Sequence, residues 1–136
     1  MSIYKKNIQV TQEDLDELEH VNNVRYLEWV QEISKEHWES RVNKKVLNEI
    51  IWVVRNHHIT YYESALLHDS IQISTQVAAW KGPISIRQVE MKNNKSGKVL
   101  VKASTEWCAL HPKTLKPIRV SEDIQKLFTV GNEKMA

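Results

Sequence analysis

Only one stretch of this chain carries a sustained helical repeat, and everything around it reads as extended strand. Between about residues 22 and 40, Val24, Leu27, Val30 and Ser34 recur at three- and four-residue spacing, and Tyr26, Trp29, Ile33 and Trp38 widen the apolar sector. So broad an apolar surface predicts a helix enclosed on several sides. Asn22 and Asn23 stand at its start, and an Asn side-chain oxygen readily accepts an orphan first-turn N–H. A strand is predicted over 3–11, and four longer ones over 50–62, 70–80, 84–91 and 98–110. In 70–80, Ile71, Ile73, Thr75, Val77 and Ala79 alternate with Gln72, Ser74 and Gln76; in 98–110, Val99, Val101, Ala103, Thr105, Trp107 and Ala109 share a face. In 84–91 the apolar phase moves from Ile84 and Ile86 to Val89 and Met91, the mark of a β-bulge or an irregular edge. The Lys- and Asn-rich stretch before residue 50 reads as a polar connection, and Lys81-Gly82-Pro83 and 93–97 as turns. A short helix is expected after Ser121, and 131–136 reads as a frayed tail. One long helix beside antiparallel strands is an α+β arrangement, most economically a curved sheet wrapped around the helix.

The 136 residues suffice for one domain, read here as spanning 1–136. Lys and Arg number 19 against 17 Asp and Glu, a net charge of +2. That balance excludes a nucleic-acid binder working through a strong basic field. No run approaches the roughly 18 apolar residues of a membrane span, and the first residues lack a signal peptide's apolar core, so the expected compartment is the cytoplasm. Cys108 is the single cysteine, which excludes an internal disulfide and disfavours a cysteine-based zinc site. It alternates away from the apolar face of its strand and reads as a packing residue, not a nucleophile.

Chemistry concentrates in Asp14-Leu15-Asp16-Glu17-Leu18-Glu19-His20-Val21-Asn22-Asn23-Val24-Arg25-Tyr26. This segment sets a carboxylate and an imidazole directly before a helix N-terminus, whose unpaired N–H groups attract oxygen bearing developing negative charge. A carbonyl seated there is polarised, and an adjacent carboxylate activates water or attacks the carbonyl itself. A thioester suits this arrangement, because its leaving thiolate needs little protonation. Taken singly, each residue has a plainer reading: Asp16 as a cap or solvated turn residue, His20 as a loop-shaping side chain, Asn22 and Asn23 as caps. The Asp-X-Asp pair lacks further ligands at metal-site spacing. His57 and His58 are adjacent on a strand and so face opposite sides.

The string Asp16-X-X-X-His20-Val21-Asn22-Asn23-X-X-Tyr26 resembles the "D-x-x-G-H-V-N-N-x-x-Y" signature of 4-hydroxybenzoyl-CoA thioesterase-like proteins, a group of hot-dog-fold thioesterases. With Asp14, Leu15 and Trp29 it is also similar to the "DLDxNxHVNNxKYxxW" segment of plant acyl-ACP thioesterases. Further along, Ile59-Thr60-Tyr61 with Ala65 and Asp69 resembles "I-D-Y-x-x-P-A-x-x-G-D". Trp80-Lys81-Gly82 with Ser85 resembles a "G-x-x-S" strand junction, and Pro112, Thr114 and Pro117 resemble a "D-x-x-T-x-x-P" close. The resemblance implies a hot-dog fold, a five-stranded antiparallel sheet around one long helix. It implies hydrolysis of an acyl-CoA or acyl-ACP thioester without cofactor or metal, Asp16 as general base or nucleophile and His20 as a second catalytic residue. The substrate would be held at Asn22, Asn23, Val24 and Tyr26, with the N–H groups near Asn23 and Val24 polarising the carbonyl. Departures from the pattern are Glu19 for the Gly of the first signature, Leu18 for a catalytic Asn of the plant enzymes, and Ser64 and His68 for a Pro and a Gly.

The family also implies a homodimer joined edge to edge, or a tetramer, and pairing edges would protect an exposed strand. Lys81, Arg87, Lys92, Lys95 and Lys98 gather around the later strands, where CoA phosphates would need cations, although none stands out as a ligand. Two other readings compete: a non-catalytic acyl-binding or regulatory hot-dog protein, and a hot-dog hydratase or dehydratase. Neither nucleic acid nor membrane is an expected partner.

Overall fold

The computed structural model describes residues 3–129; the tail expected at 131–136 lies outside them. The elements are β1 (Tyr4–Gln9), a 3-10 turn (Gln12–Asp14), α1 (Asn23–Arg41), α2 (Lys44–Glu49), β2 (Ile51–Tyr61), β3 (Ser70–Lys81), β4 (Ile84–Asn93), β5 (Val99–Leu110) and α3 (Glu122–Lys126). The strands form one antiparallel sheet in the order β1-β3-β4-β5-β2. The expected α+β architecture holds, with α1 against one face of the sheet.

Helix α1 is not enclosed. Its buried residues are Tyr26, Trp29, Val30, Ile33, Ser34, His37 and Trp38, a single stripe at i, i+3, i+4 spacing. Val24, counted with that face from its spacing, is 61% exposed. The helix approaches β1 and β3 closest, and Glu36 fastens it there by accepting from Lys6 Nζ at 2.6 Å and Tyr4 OH at 3.3 Å. Beneath its first half lies a core that includes Ile71, Ile73, Val89, Met91 and Val101. A second core at its far end joins Trp38, Val77, Ala109, Val120 and Phe128, and the Phe128 ring stacks on Trp38 with centroids 5.6 Å apart.

Two local expectations change. The polar connection contains α2, which no apolar stripe announces because none of its residues is buried; Asn43 caps it, accepting from Val46 N at 2.9 Å. Strand β4 keeps one phase throughout: Ser85, Arg87, Val89 and Met91 all point inward and are buried. The apparent shift arises because two of its inward positions are polar. The irregularity sits opposite, in β3, where the register slips between Val77 and Ala79 and leaves Ala79 exposed. His57 and His58 do divide between the faces, His57 half-buried with Nδ1 at 2.8 Å from Thr105 Oγ1, His58 exposed. Cys108 is buried, as packing requires.

His37, with no exposed surface, is held near the centre of this interior. Burial, then the charges of Arg87 and Arg41, push it down to about 3. The unfolded chain therefore takes up a proton near pH 6.5 that the fold refuses, and stability rises with pH across that interval. His57, lowered by burial, acts in the same direction. Denaturant unfolding should lose roughly 1–2 kcal/mol between pH 7 and pH 5. His37→Gln should flatten that slope, and an unchanged slope would contradict the assignment.

Candidate active site

The loop before α1 folds back on itself as a short hairpin. Leu15 and Val21 pair as an isolated antiparallel bridge, and Asp16 N–H donates to His20 O at 2.7 Å. Asp14, buried, fixes this hairpin to its surroundings. Its Oδ2 accepts from Thr11 N at 2.8 Å and from Thr11 Oγ1 at 3.2 Å, its Oδ1 accepts from Arg25 Nε at 2.8 Å, and its carbonyl accepts from Asn22 N at 2.9 Å. Burial alone would raise the Asp14 carboxyl, but the Thr11 N–H and the Arg25 guanidinium outweigh it and hold it below the usual carboxylate range. Sequence alone places Asp14 in the motif without giving it a role; the Thr11-X-X-Asp14 capping-box pattern is the signal for its anchoring.

Asp16 is half-buried, and one carboxylate oxygen is occupied: Oδ1 accepts from Leu18 N at 2.9 Å and His20 N at 3.2 Å. Its Oδ2 has no hydrogen bond among the described residues. The carboxylate is thus oriented by backbone donors with one oxygen left over for chemistry. His20 meets Asp16 only through its backbone; its ring is exposed and makes no hydrogen bond among the described residues. Across the hairpin, Asn22 is the N-cap of α1, accepting from Val24 N at 3.0 Å. That cap takes up the Val24 N–H that the motif suggested would polarise a carbonyl. Arg25 N and Tyr26 N donate to Asn22 O, which leaves the Asn23 N–H as the first-turn donor without an acceptor among the described residues.

Tyr26, expected among the substrate-binding residues, is 2% exposed, and its hydroxyl accepts from Ala65 N at 2.9 Å. It bolts the helix to the segment after β2, where Val21 N donates to Ala65 O at 3.0 Å and His20 bridges to Leu66. Leu18, Val24, Tyr61, Tyr62 and Leu66, all exposed, leave an apolar surface near this junction.

Two departures from the signature prove conformationally expensive. Glu19 has φ +63° and His68 φ +72°, both in the left-handed region that favours glycine, and both stand where the resembling motifs have Gly. Glu19→Gly and His68→Gly should each raise stability by up to about 1 kcal/mol, relief of strain being offset in part by glycine's freedom in the unfolded chain. Glu17→Gly, where φ is not positive, should lower it in the same unfolding titration; destabilisation by all three would refute the strain.

The model of the acyl-ACP thioesterase N-terminal domain matches residues 1–128 of this chain. The long-chain acyl-CoA thioesterase FadM of Escherichia coli is 27% identical over 124 residues, 88% of this chain and 92% of FadM. The crystal structure of the probable thioesterase YbaW from Escherichia coli superposes with a TM-score of 0.77 at 26% identity, covering 90% of this chain and 94% of that one. The 12:0-ACP thioesterase of Umbellularia californica shares the fold at a TM-score of 0.82 and 13% identity, this chain covering 51% of it. The five-stranded antiparallel sheet with its one long helix, the clasped loop before α1 and a family match over nearly the whole sequence converge: this chain belongs to the acyl-ACP thioesterase family and has the hot-dog fold.

Proposed function

We propose that this protein hydrolyses an acyl thioester at the junction of the Asp16 hairpin and the N-terminus of α1. The observation that carries this reading is a pair of complementary vacancies across one hairpin: an oriented carboxylate with a free Oδ2, and an unclaimed N–H at Asn23. The carbonyl oxygen takes the Asn23 N–H and the adjacent helix-end field, and Asp16 either deprotonates a water or attacks the carbonyl carbon. Charge developing on the oxygen strengthens that hydrogen bond in the transition state, which is where catalysis requires it. In the water route, the proton taken by Asp16 can pass to the departing sulfur; in the direct route the C–S bond breaks as the acyl-Asp16 anhydride forms, the thiolate leaves, and water then hydrolyses the anhydride to free acid and carboxylate. A protein that only bound acyl groups would have no need for a carboxylate at the carbonyl, which disfavours the non-catalytic reading. Asn22 and Tyr26 act as positioning residues, through the cap and the Ala65 tie. His20, whose ring is exposed beside the hairpin, is read as the second catalytic residue.

In this reading the substrate is an acyl-CoA or acyl-ACP in the cytoplasm, and the working unit is a homodimer. Support for the dimer comes from β2, an edge strand that pairs with β5 on one side, has no neighbouring strand among the described residues on the other, and exposes Ile51 and Val53.

Two substitutions separate the roles. Asp16→Asn should lower kcat/KM for acyl-CoA hydrolysis by at least about a hundredfold with the fold intact. Asn23→Pro removes the proposed donor at the first helical position, where proline is favoured, so the helix should persist while kcat falls roughly 10²- to 10³-fold. Thiol release at wild-type rate from either folded variant would reject the corresponding role.

A further inference from the structure

At the far end of α1 the interior holds a small cavity of about 40 Å³, walled by Trp38, Trp52, Trp80 and Trp107. Arg87 and Ser85 also line it. Arg87 is only 5% exposed, yet among the described residues no carboxylate forms an ion pair with it. Its hydrogen bonds use one terminal nitrogen, Nη1, which donates to His37 Nδ1 at 2.8 Å and Thr75 Oγ1 at 3.3 Å. Because guanidinium can only donate, His37 Nδ1 must accept and its proton sits on Nε2, so His37 contributes no countercharge. Arg87, lowered by burial to about 10, stays cationic at neutral pH. Among the described residues Trp107 Nε1 and His37 Nε2 are buried without an acceptor. Lys35 adds a second cation at the rim. The cavity thus presents several donors, a buried positive charge and no anion. A buried charge left uncompensated costs several kcal/mol, so this arrangement calls for a ligand that supplies the anion.

The cavity lies along the helix from the candidate active site. Counting from Asn23 to Ser34 and Trp38, at 1.5 Å per residue, the separation is roughly 16–22 Å, the reach of a long acyl chain. The inward positions of β2 form a row between the two, from Tyr61, exposed but with its ring against Tyr26, through the half-buried Ile59, His57 and Val54 to Trp52 beside Trp38. Resting on the thioesterase reading above, we propose that the acyl chain lies along this row and that its far end carries a carboxylate received by Arg87, Trp107 and Ser85. The substrate class is then an ω-carboxyacyl thioester, with the tryptophans packing the last methylenes. The volume admits a carboxylate-sized group or a few waters, and not a whole chain.

The test uses the intact protein and its own tryptophan fluorescence. Dodecanedioate and hexadecanedioate are titrated against laurate, palmitate and acetate, and the matching CoA thioesters are compared in hydrolysis. The diacids should bind at least tenfold more tightly than the monoacids. Arg87→Met should abolish that preference while monoacids still bind, and Trp107→Phe, which keeps the ring and loses the donor, should narrow it if the Arg87 variant fails to fold. Hydrolysis should favour the ω-carboxyacyl-CoA by a similar factor. Equal binding, preference for monoacids, or an equal response to acetate would overturn the assignment, leaving the cavity to ordered water or a free anion. An Arg87-dependent diacid preference without any hydrolysis would sink the thioesterase reading and keep the cavity's. Asp16-dependent hydrolysis blind to the ω-carboxylate would do the reverse.

Discussion

One helix cannot cover five strands. At about 4.8 Å between neighbours the sheet is roughly 19 Å wide, whereas a helix with its side chains is about 10–12 Å across. Helix α1 meets this constraint by lying towards β1 and β3, fastened by Glu36 to Tyr4 and Lys6. On the far flank the inward side chains of β5 are buried, but those of the outermost strand, β2, are left half covered, and the outer edge of β2 has no neighbouring strand among the described residues. Three features follow from that asymmetry: the row from Tyr61 to Trp52, the tryptophan-walled cavity at its end, and an exposed apolar edge suited to a second copy. A wider helical layer would have sealed all three.

The proposed site owes its geometry to backbone hydrogen bonds more than to side-chain packing. Asp14 spends both carboxylate oxygens and its carbonyl on holding the hairpin to the helix, so Asp16 can be held by loop N–H groups and still keep Oδ2 free. The N-cap works in the same economy of donors. Asn22 satisfies one first-turn N–H, Asn22 O accepts two others, and the Asn23 N–H has no acceptor among the described residues. The hairpin tip turns through Glu19 in a left-handed conformation that a non-glycine residue adopts only under strain, a cost borne where the chemistry is placed.

The architecture was readable because its signals are periodic. Alternation in β3 and β5 and the helical stripe of α1 carry their own faces, and the Asp16-to-Tyr26 string marks the loop. Reading failed where periodicity ends or misleads. Helix α2 has no fully buried residue, only Val46 and Leu47 partly covered against the second core, so its six residues leave no stripe to read. In β4 the inward Ser85 and Arg87 look like outward residues, because polar side chains are assumed to face water; their burial is the clue to the cavity. Val24 shows the other failure: spacing places it on the apolar face and at the proposed carbonyl donor, yet the Asn22 cap occupies its N–H and its side chain is exposed. Hydrogen-bond partners cannot be read from spacing, so which of two adjacent N–H groups is free becomes visible only in three dimensions. Glu19 and His68 were visible as departures from a motif, but only their φ angles explain why the motif has glycine there.

The most direct measurement is a crystal structure of the protein with a ketone analogue of an acyl-CoA, in which a methylene replaces the thioester sulfur. The account predicts the analogue's carbonyl oxygen within about 2.7–3.1 Å of the Asn23 N–H, with Asp16 Oδ2 facing the carbonyl carbon or a water beside it. A carbonyl bound elsewhere, with Asn23 N–H left to solvent and Asp16 turned away from the ligand, would contradict it.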